Sequence, residues 1–227
     1  MTLKVRVIAT LLWNGQTLVK GVAFDAWRPV GHPLQAVNVF QMREVDEIIF
    51  LDITATNEAR RPNFTLIESL ARECFVPLTV GGGVKSVDDV RDLLRACADK
   101  VSAEAGLTRP FAAEITASFG RQVLVGAYSY DNDERFAGPI PDCGEYLIQS
   151  QLRDGTMQGY HLPGIRFAAG HQMPIIASGG AGTYEHFVQA VEAGASAIAA
   201  GAMWLFTEQT PLEAKRYMAS RGIPVRL

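Results

Sequence analysis

Two carboxylates stand where apolar runs stop. Asp52 closes the run in Phe50-Leu-Asp-Ile-Thr-Ala55, and Asp154 lies in Arg153-Asp-Gly-Thr156. A carboxylate at a strand end can bind a hydroxyl or move a proton; it can equally form an Asx turn or cap a helix. Both readings stay open at this point. Glycine clusters follow three other apolar runs: Gly81-Gly82-Gly83, Ser178-Gly179-Gly180-Ala181-Gly182 and Ala200-Gly201. Their backbone N–H groups could approach a phosphate, or the glycines could simply turn the chain.

A second set of residues begins runs instead of ending them: Arg6, Glu47, Lys100 and Glu145. Alternation puts Arg6, Ile8, Thr10 and Leu12 on one face of a strand, and Lys100, Ser102 and Glu104 on one face of another. If those faces point into a closed sheet, two cations and two anions form a neutral ring at its floor. The plain alternative is a set of solvent-exposed ion pairs of small energetic value.

These residues need a frame that separates the two sets. Apolar or β-branched runs at 5–12, 47–52, 78–80, 100–103, 123–128, 145–150, 175–177 and 197–200 read as eight strands. Amphipathic segments such as 65–74, 87–95 and 184–192 have the length that crosses back over a parallel sheet. Eight such units in 227 residues predict a single (β/α)8 TIM barrel spanning 1–227. Asp52, Asp154 and the glycines then lie at the catalytic mouth and the four charges at the floor. Pro77-Leu-Thr-Val-Gly-Gly-Gly83, with Ser86 and Val90, recurs as Pro174-Ile-Ile-Ala-Ser-Gly-Gly180, with Thr183 and Phe187, so the barrel has two similar halves. Only 129–144, containing Pro139 and Pro141, joins the fifth and sixth strands, so the fifth crossover helix is expected to be short or missing. A partner chain or self-association as a homo-oligomer would then cover the bared faces.

Composition removes several classes. Lys+Arg 21 against Asp+Glu 24, without a basic run, argues against nucleic-acid and anionic-membrane partners. The apolar stretches fall far short of the ~20 residues of a membrane span, and Lys4 and Arg6 interrupt the N-terminal one, so a soluble, cytoplasmic chain is expected. Cys74, Cys97 and Cys143 have no CxxC spacing, and His32, His161, His171 and His186 do not join them in a ligand set. Neither a disulfide framework nor a metal is expected, and no cofactor is implied.

The stretches Lys20-Gly-Val22, 46–55, Pro77–Gly83, Asp99-Lys-Val-Ser102, Arg153-Asp-Gly-Thr156 with Gly159-Tyr160, and Ala177-Ser-Gly-Gly-Ala-Gly182 resemble the cyclase subunit of imidazole glycerol phosphate synthase, a (β/α)8 enzyme of histidine biosynthesis. The resemblance covers nearly the whole chain. It implies a glutaminase subunit docked on the barrel floor, whose ammonia passes a charged gate and the barrel interior. It assigns Arg6, Glu47, Lys100 and Glu145 to that gate and Asp99 to docking beside it. It implies one phosphate half-site at Gly82 and Gly83, and another at Asp154, Gly155, Thr156, Ser178, Gly179, Gly180 and Gly201.

The mouth departs from that family. Its catalytic aspartates on the first and fifth strands fall on Leu12 and Tyr128, and its asparagine and threonine after the fourth strand fall on Glu104 and Ala105. Ordinary imidazole formation then lacks its acid and base, and a carboxylate beside a phosphate dianion opposes binding. Leu11-Leu12, 57–64 and 71–77 are more similar to paralogues associated with acetamidino modification of surface-polysaccharide sugars. The expectation is a lyase- or cyclase-like subunit of a glutamine amidotransferase system. It would incorporate ammonia from a separate glutaminase into a small-molecule substrate, with Asp52 and Asp154 contacting substrate or moving protons. Lys20, Glu104 and Tyr128 are the candidate replacements for the lost acids. No cysteine here has the setting of a glutaminase nucleophile. The competing expectation is a catalytically silent barrel that docks and activates a glutaminase or amidotransferase as a scaffold.

Overall fold

Short β-branched runs bounded by glycine and by capped helices pair in parallel and close on themselves. The computed structural model describes residues 3–104, 107–130 and 142–227. Its strands are Arg6–Trp13 (β1), Leu18–Val22 (β2), Asp25–Gly31 (β3), Glu47–Asp52 (β4), Leu78–Gly81 (β5), Lys100–Ala103 (β6), Leu124–Tyr130 (β7), Glu145–Ser150 (β8), Ile175–Ser178 (β9) and Ala197–Ala200 (β10). β1 and β4 to β10 follow one another in parallel, and β10 pairs with β1, so the sheet is a closed eight-stranded barrel. All eight runs read from the sequence are strands, with bounds differing by no more than two residues.

The helices are Pro33–Met42 (α1), Phe64–Glu73 (α2), Val87–Arg95 (α3), Arg109–Phe119 (α4), Leu162–Ala169 (α5), Tyr184–Glu192 (α6), Ala202–Phe206 (α7) and Pro211–Ser220 (α8). With helices between its parallel strands, the chain is a (β/α)8 TIM barrel. The stretch expected to lack the fifth helix lies mostly at 131–141, outside the described residues. No described helix is long and apolar enough to cross a membrane.

The repeat has physical content. Ser86 caps α3 by accepting from Asp89 N, in a capping box that Asp89 completes, and Thr183 caps α6 by accepting from His186 N. Val90 and Phe187, four residues beyond each cap, are both fully buried under the helices. Alternation along the strands then makes two cores. Val7, Ala9 and Leu11 face the helices, whereas Ile8, Ile49, Val125, Leu147 and Ile176 fill the lumen.

The β2–β3 hairpin is an addition that the sequence reading passes over. It pairs antiparallel to β1 at the mouth. Asn14-Gly15 makes the turn into it: Asn14 Oδ1 accepts from Gln16 N and Thr17 N, and Gly15 has a φ of +93°.

Candidate functional site

All barrel strands run from floor to mouth, so residues that begin strands meet at the floor. Arg6 Nη1 donates to Glu47 Oε1 at 2.7 Å, and Arg6 Nη2 donates to Glu145. Lys100 Nζ donates to Glu145 Oε1 at 2.5 Å and to Glu47 Oε1 at 3.3 Å. Each cation therefore bridges both carboxylates, and the four side chains form a closed neutral ring. The carboxylates are nearly fully buried and the cations mostly so. Burial alone would raise the Glu145 pKa. Hydrogen bonds and charge from Arg6 and Lys100 outweigh it and hold Glu145 below its ordinary value. The same network keeps Arg6 charged above its ordinary range, against its burial. Asp99, exposed beside the ring, accepts from Leu78 N at 2.8 Å and so ties β5 to the segment leading into β6.

Above the ring the lumen is apolar and closed. Ile8, Ile49, Val125 and Ile176 have no accessible surface, so no water-sized void touches them. Two hydroxyls interrupt this packing: Thr10 Oγ1 and Thr79 Oγ1 are buried and have no hydrogen-bond partner among the described residues. Thr79 pairs with Lys100 in the β5–β6 ladder, so one orphan hydroxyl lies beside the ring. An unmatched hydroxyl in apolar surroundings favours any small molecule able to hydrogen-bond to it.

At the mouth, a cavity of about 630 Å3 reaches down to Ser102 and Leu147. Asp52 lies on its wall, but its oxygens are already engaged. Oδ1 accepts from Thr54 N and Ala55 N, at 3.2 and 3.0 Å, forming an Asx turn. Arg60 closes the other side, with Nη1 3.0 Å from Oδ2 and Nη2 3.2 Å from Oδ1. Gly82 and Gly83 follow β5 next to this turn. A side chain at Gly82 would sit 2.1 Å from Asp52 O, and Gly83 N already donates to Thr56 Oγ1. Close packing thus requires the glycine at 82.

Glu104 extends from the end of β6 and lines the cavity, its Oε1 accepting from Ser129 N at 2.6 Å. Ala105 lies outside the described residues. Tyr128 does not reach the mouth. On β7, Val125 and Ala127 face the lumen and Ser129 lines the cavity, so the phenol points outward. Its ring packs edge-on against Tyr146 with centroids 6.1 Å apart, and burial pushes its pKa up to about 12. The expectation of Tyr128 as a replacement acid or base is therefore corrected by strand parity, and Ser129 occupies that place. Sequence could have shown this, because small residues alternate with tyrosines in Gly126-Ala-Tyr-Ser-Tyr130.

Across the mouth, Lys20 and Asp154 meet in a buried ion pair, with Nζ 2.6 and 2.8 Å from the two carboxylate oxygens. The hairpin is drawn onto the end of β8, where Ala23 N donates to Asp154 O at 2.8 Å. Beneath it, Gly155, Ser178, Gly179, Gly180 and Gly201 line one cleft, which measures only about 10 Å3. Gly180 approaches Gly159 O so closely that a Cβ would sit 2.2 Å from it. Thr156 Oγ1 is occupied with Arg153 O at 2.8 Å. The residues that the sequence reading missed are Arg60, Ser129, Gln149 and the hairpin's Phe24 and Trp27, the last four lining the cavity. Among the described residues, no group of His, Cys, Asp and Glu side chains has the arrangement to hold a metal ion.

The geometry is that of a barrel with a charged floor and an amphipathic mouth. The sequence model of the family described as histidine biosynthesis protein matches residues 6–136 and 141–210, and the chain belongs to that family.

Proposed function

We propose that this barrel receives ammonia from a separate glutaminase at its floor and adds it to a small substrate at its mouth. The observation that carries the reading is the closed ring of Arg6, Glu47, Lys100 and Glu145 around the barrel axis. Such a ring opposes passage of ions by desolvation, whereas neutral ammonia needs only one cation to swing aside. The apolar lumen above it favours NH3 over NH4+ for the same reason. Thr79 and Thr10 offer hydrogen bonds along that path. Because the lumen holds no water-sized bore, passage proceeds by transient opening of the ring and of the packed side chains.

The floor also has the surface a partner needs. Leu3, Met42, Phe75 and Leu227 are 70–90% exposed, and all lie in segments that lead into strands or, after α8, run beside Val5. Gln41, next to Met42 in α1, donates to Glu73 O and accepts from Phe75 N, and so ties the end of α1 to the segment after α2. Asp99 adds a charge at the same face. This supports glutaminase docking on the β1–β4–β5 side of the floor.

One observation favours the second reading, a silent scaffold. Asp52 and Asp154 are each neutralised by a cation, and Leu12 stands at the mouth. Isotope tracing separates the two. Cells fed amide-15N glutamine, carrying either the wild-type chain or Lys100→Ala, are compared by mass spectrometry. The synthase reading predicts a 15N-labelled metabolite that is lost in the variant. A labelled metabolite that disappears in cells lacking the chain but persists with Lys100→Ala contradicts it and leaves the scaffold, and a pool identical in cells lacking the chain contradicts both.

A further inference from the structure

The mouth cavity has two unlike walls. Leu12, Leu51, Val84 and Trp27 make one side apolar. The opposite side, built by β6, β7 and β8, carries Ser102, Glu104, Ser129 and Gln149. Most other polar groups around the cavity are occupied within the protein. Asp52 is held by Arg60, Thr54 Oγ1 accepts from Arg60 at 2.7 Å, and Thr56 Oγ1 accepts from Gly83 N at 3.2 Å. Asn14 is used in its turn.

Valences remain open on the β6–β8 side. Glu104 spends Oε1 on Ser129 N and has no ion-pair partner among the described residues. Gln149 is buried, faces the cavity and forms no side-chain hydrogen bond among the described residues. The β7–β8 ladder sets Ser129 directly beside Gln149, so the carboxylate, the hydroxyl and the amide form one contiguous edge. No Lys, Arg or His lines this cavity among the described residues. A phosphate here would meet the Glu104 carboxylate, which has no paired cation among the described residues, so the local field opposes it. A planar amide-type group is complementary: its N–H groups donate to Glu104, and its other end pairs with the Gln149 amide, which both donates and accepts.

We infer that the Glu104–Ser129–Gln149 edge is a substrate subsite for a carboxamide or amidinium group, with the attached apolar part of the ligand lying against Leu12, Leu51 and Trp27. This rests on the reading of the mouth as the place where ammonia is used. Such a group forms when ammonia displaces an oxygen leaving group from an activated carboxyl-level carbon, a C–N bond replacing the broken C–O bond while the departing oxygen takes a proton from the nitrogen, so the subsite recognises the nitrogen-bearing end of the product.

Benzamidine, benzamide, benzoate and inorganic phosphate test this as probes of matched or contrasting charge. Each is titrated into the full-length chain while the Ser129 backbone amide is followed by 1H–15N NMR, in wild type, Glu104→Gln and Gln149→Leu. Benzamidine and benzamide are expected to move that amide, with benzoate and phosphate weaker by about tenfold or more, the size of one charge-assisted hydrogen bond. Glu104→Gln, which can keep an oxygen toward Ser129 N, should abolish the preference of benzamidine over benzoate. Gln149→Leu should weaken benzamide more than benzamidine. Equal binding of benzoate and benzamidine, an unchanged ranking in Glu104→Gln, or no response of Ser129 to any probe overturns the inference. Glutamine hydrolysis by the partner glutaminase is read with the same wild-type sample. Stimulated hydrolysis with an indifferent mouth removes the subsite alone, whereas the expected ranking without stimulation removes the ammonia reading and leaves the subsite standing.

Discussion

Glu145 is held ionised by two cations against its own burial, and that balance has consequences for acid stability. Its folded pKa lies below the ordinary 4.5, so its contribution is present above that value and is lost as pH falls through the lower folded value. Glu145→Gln should therefore flatten the acid limb of a stability–pH profile. At neutral pH it should cost about 3 kcal/mol in urea unfolding, because Arg6 and Lys100 keep their burial but lose half their counter-charge. A loss within experimental error would show that the ring is solvated. Asp52 makes a different case. Arg60→Ala removes a partly exposed ion pair and should cost only about 1 kcal/mol, whereas Asp52→Ala also strips the turn at Thr54 and Ala55 and should cost about 2–3 kcal/mol. Equal losses would mean that the turn contributes nothing. The sequence revealed the position of Asp52 but not its partner, because Arg60 reaches it through a loop whose path no periodicity encodes. For Tyr128 the obstacle was parity: a one-residue shift on a strand exchanges lumen for outer layer.

Secondary elements were more legible than side-chain roles. The eight strands announced themselves as β-branched runs, and α3 and α6 span the amphipathic segments 87–95 and 184–192, each opened by a cap, Ser86 and Thr183, that the sequence reading noted only as part of the repeat. Ser86→Ala and Thr183→Ala should each cost about 1 kcal/mol in chemical denaturation, with the larger loss at Ser86, where the capping box is reciprocal. The reverse order would contradict the role of the box. Gly180 lies in the second copy of the repeat with a φ of +106° and no room for a Cβ. Gly180→Ala should lower stability by about 2 kcal/mol or more, measured the same way. The hairpin escaped notice although Asn14-Gly15 is a turn signal, because β3 is largely exposed, leaving no hydrophobic alternation to read.

At the scale of the molecule, closure of the sheet turns scattered sequence features into two ends with different chemistry. Charges spaced along the chain from Arg6 to Glu145 converge only because eight parallel strands begin at one face. The mouth, by contrast, follows β5, β9 and β10 with glycines while closing one cleft with Lys20 and Asp154 and presenting in the other a carboxylate, Glu104, with no cationic partner among the described residues. Four of the exposed large apolar side chains, Leu3, Met42, Phe75 and Leu227, lie toward the floor, whereas Val22, Trp27 and Leu152 stand on the mouth side. Glutamine hydrolysis by a separate glutaminase co-expressed with this chain, assayed alone, with the wild-type barrel and with Phe75→Asp, tests the central claim most directly. The account predicts that the wild-type barrel raises the hydrolysis rate and that Phe75→Asp abolishes the increase while remaining folded by circular dichroism. A hydrolysis rate indifferent to the presence of the barrel would contradict it.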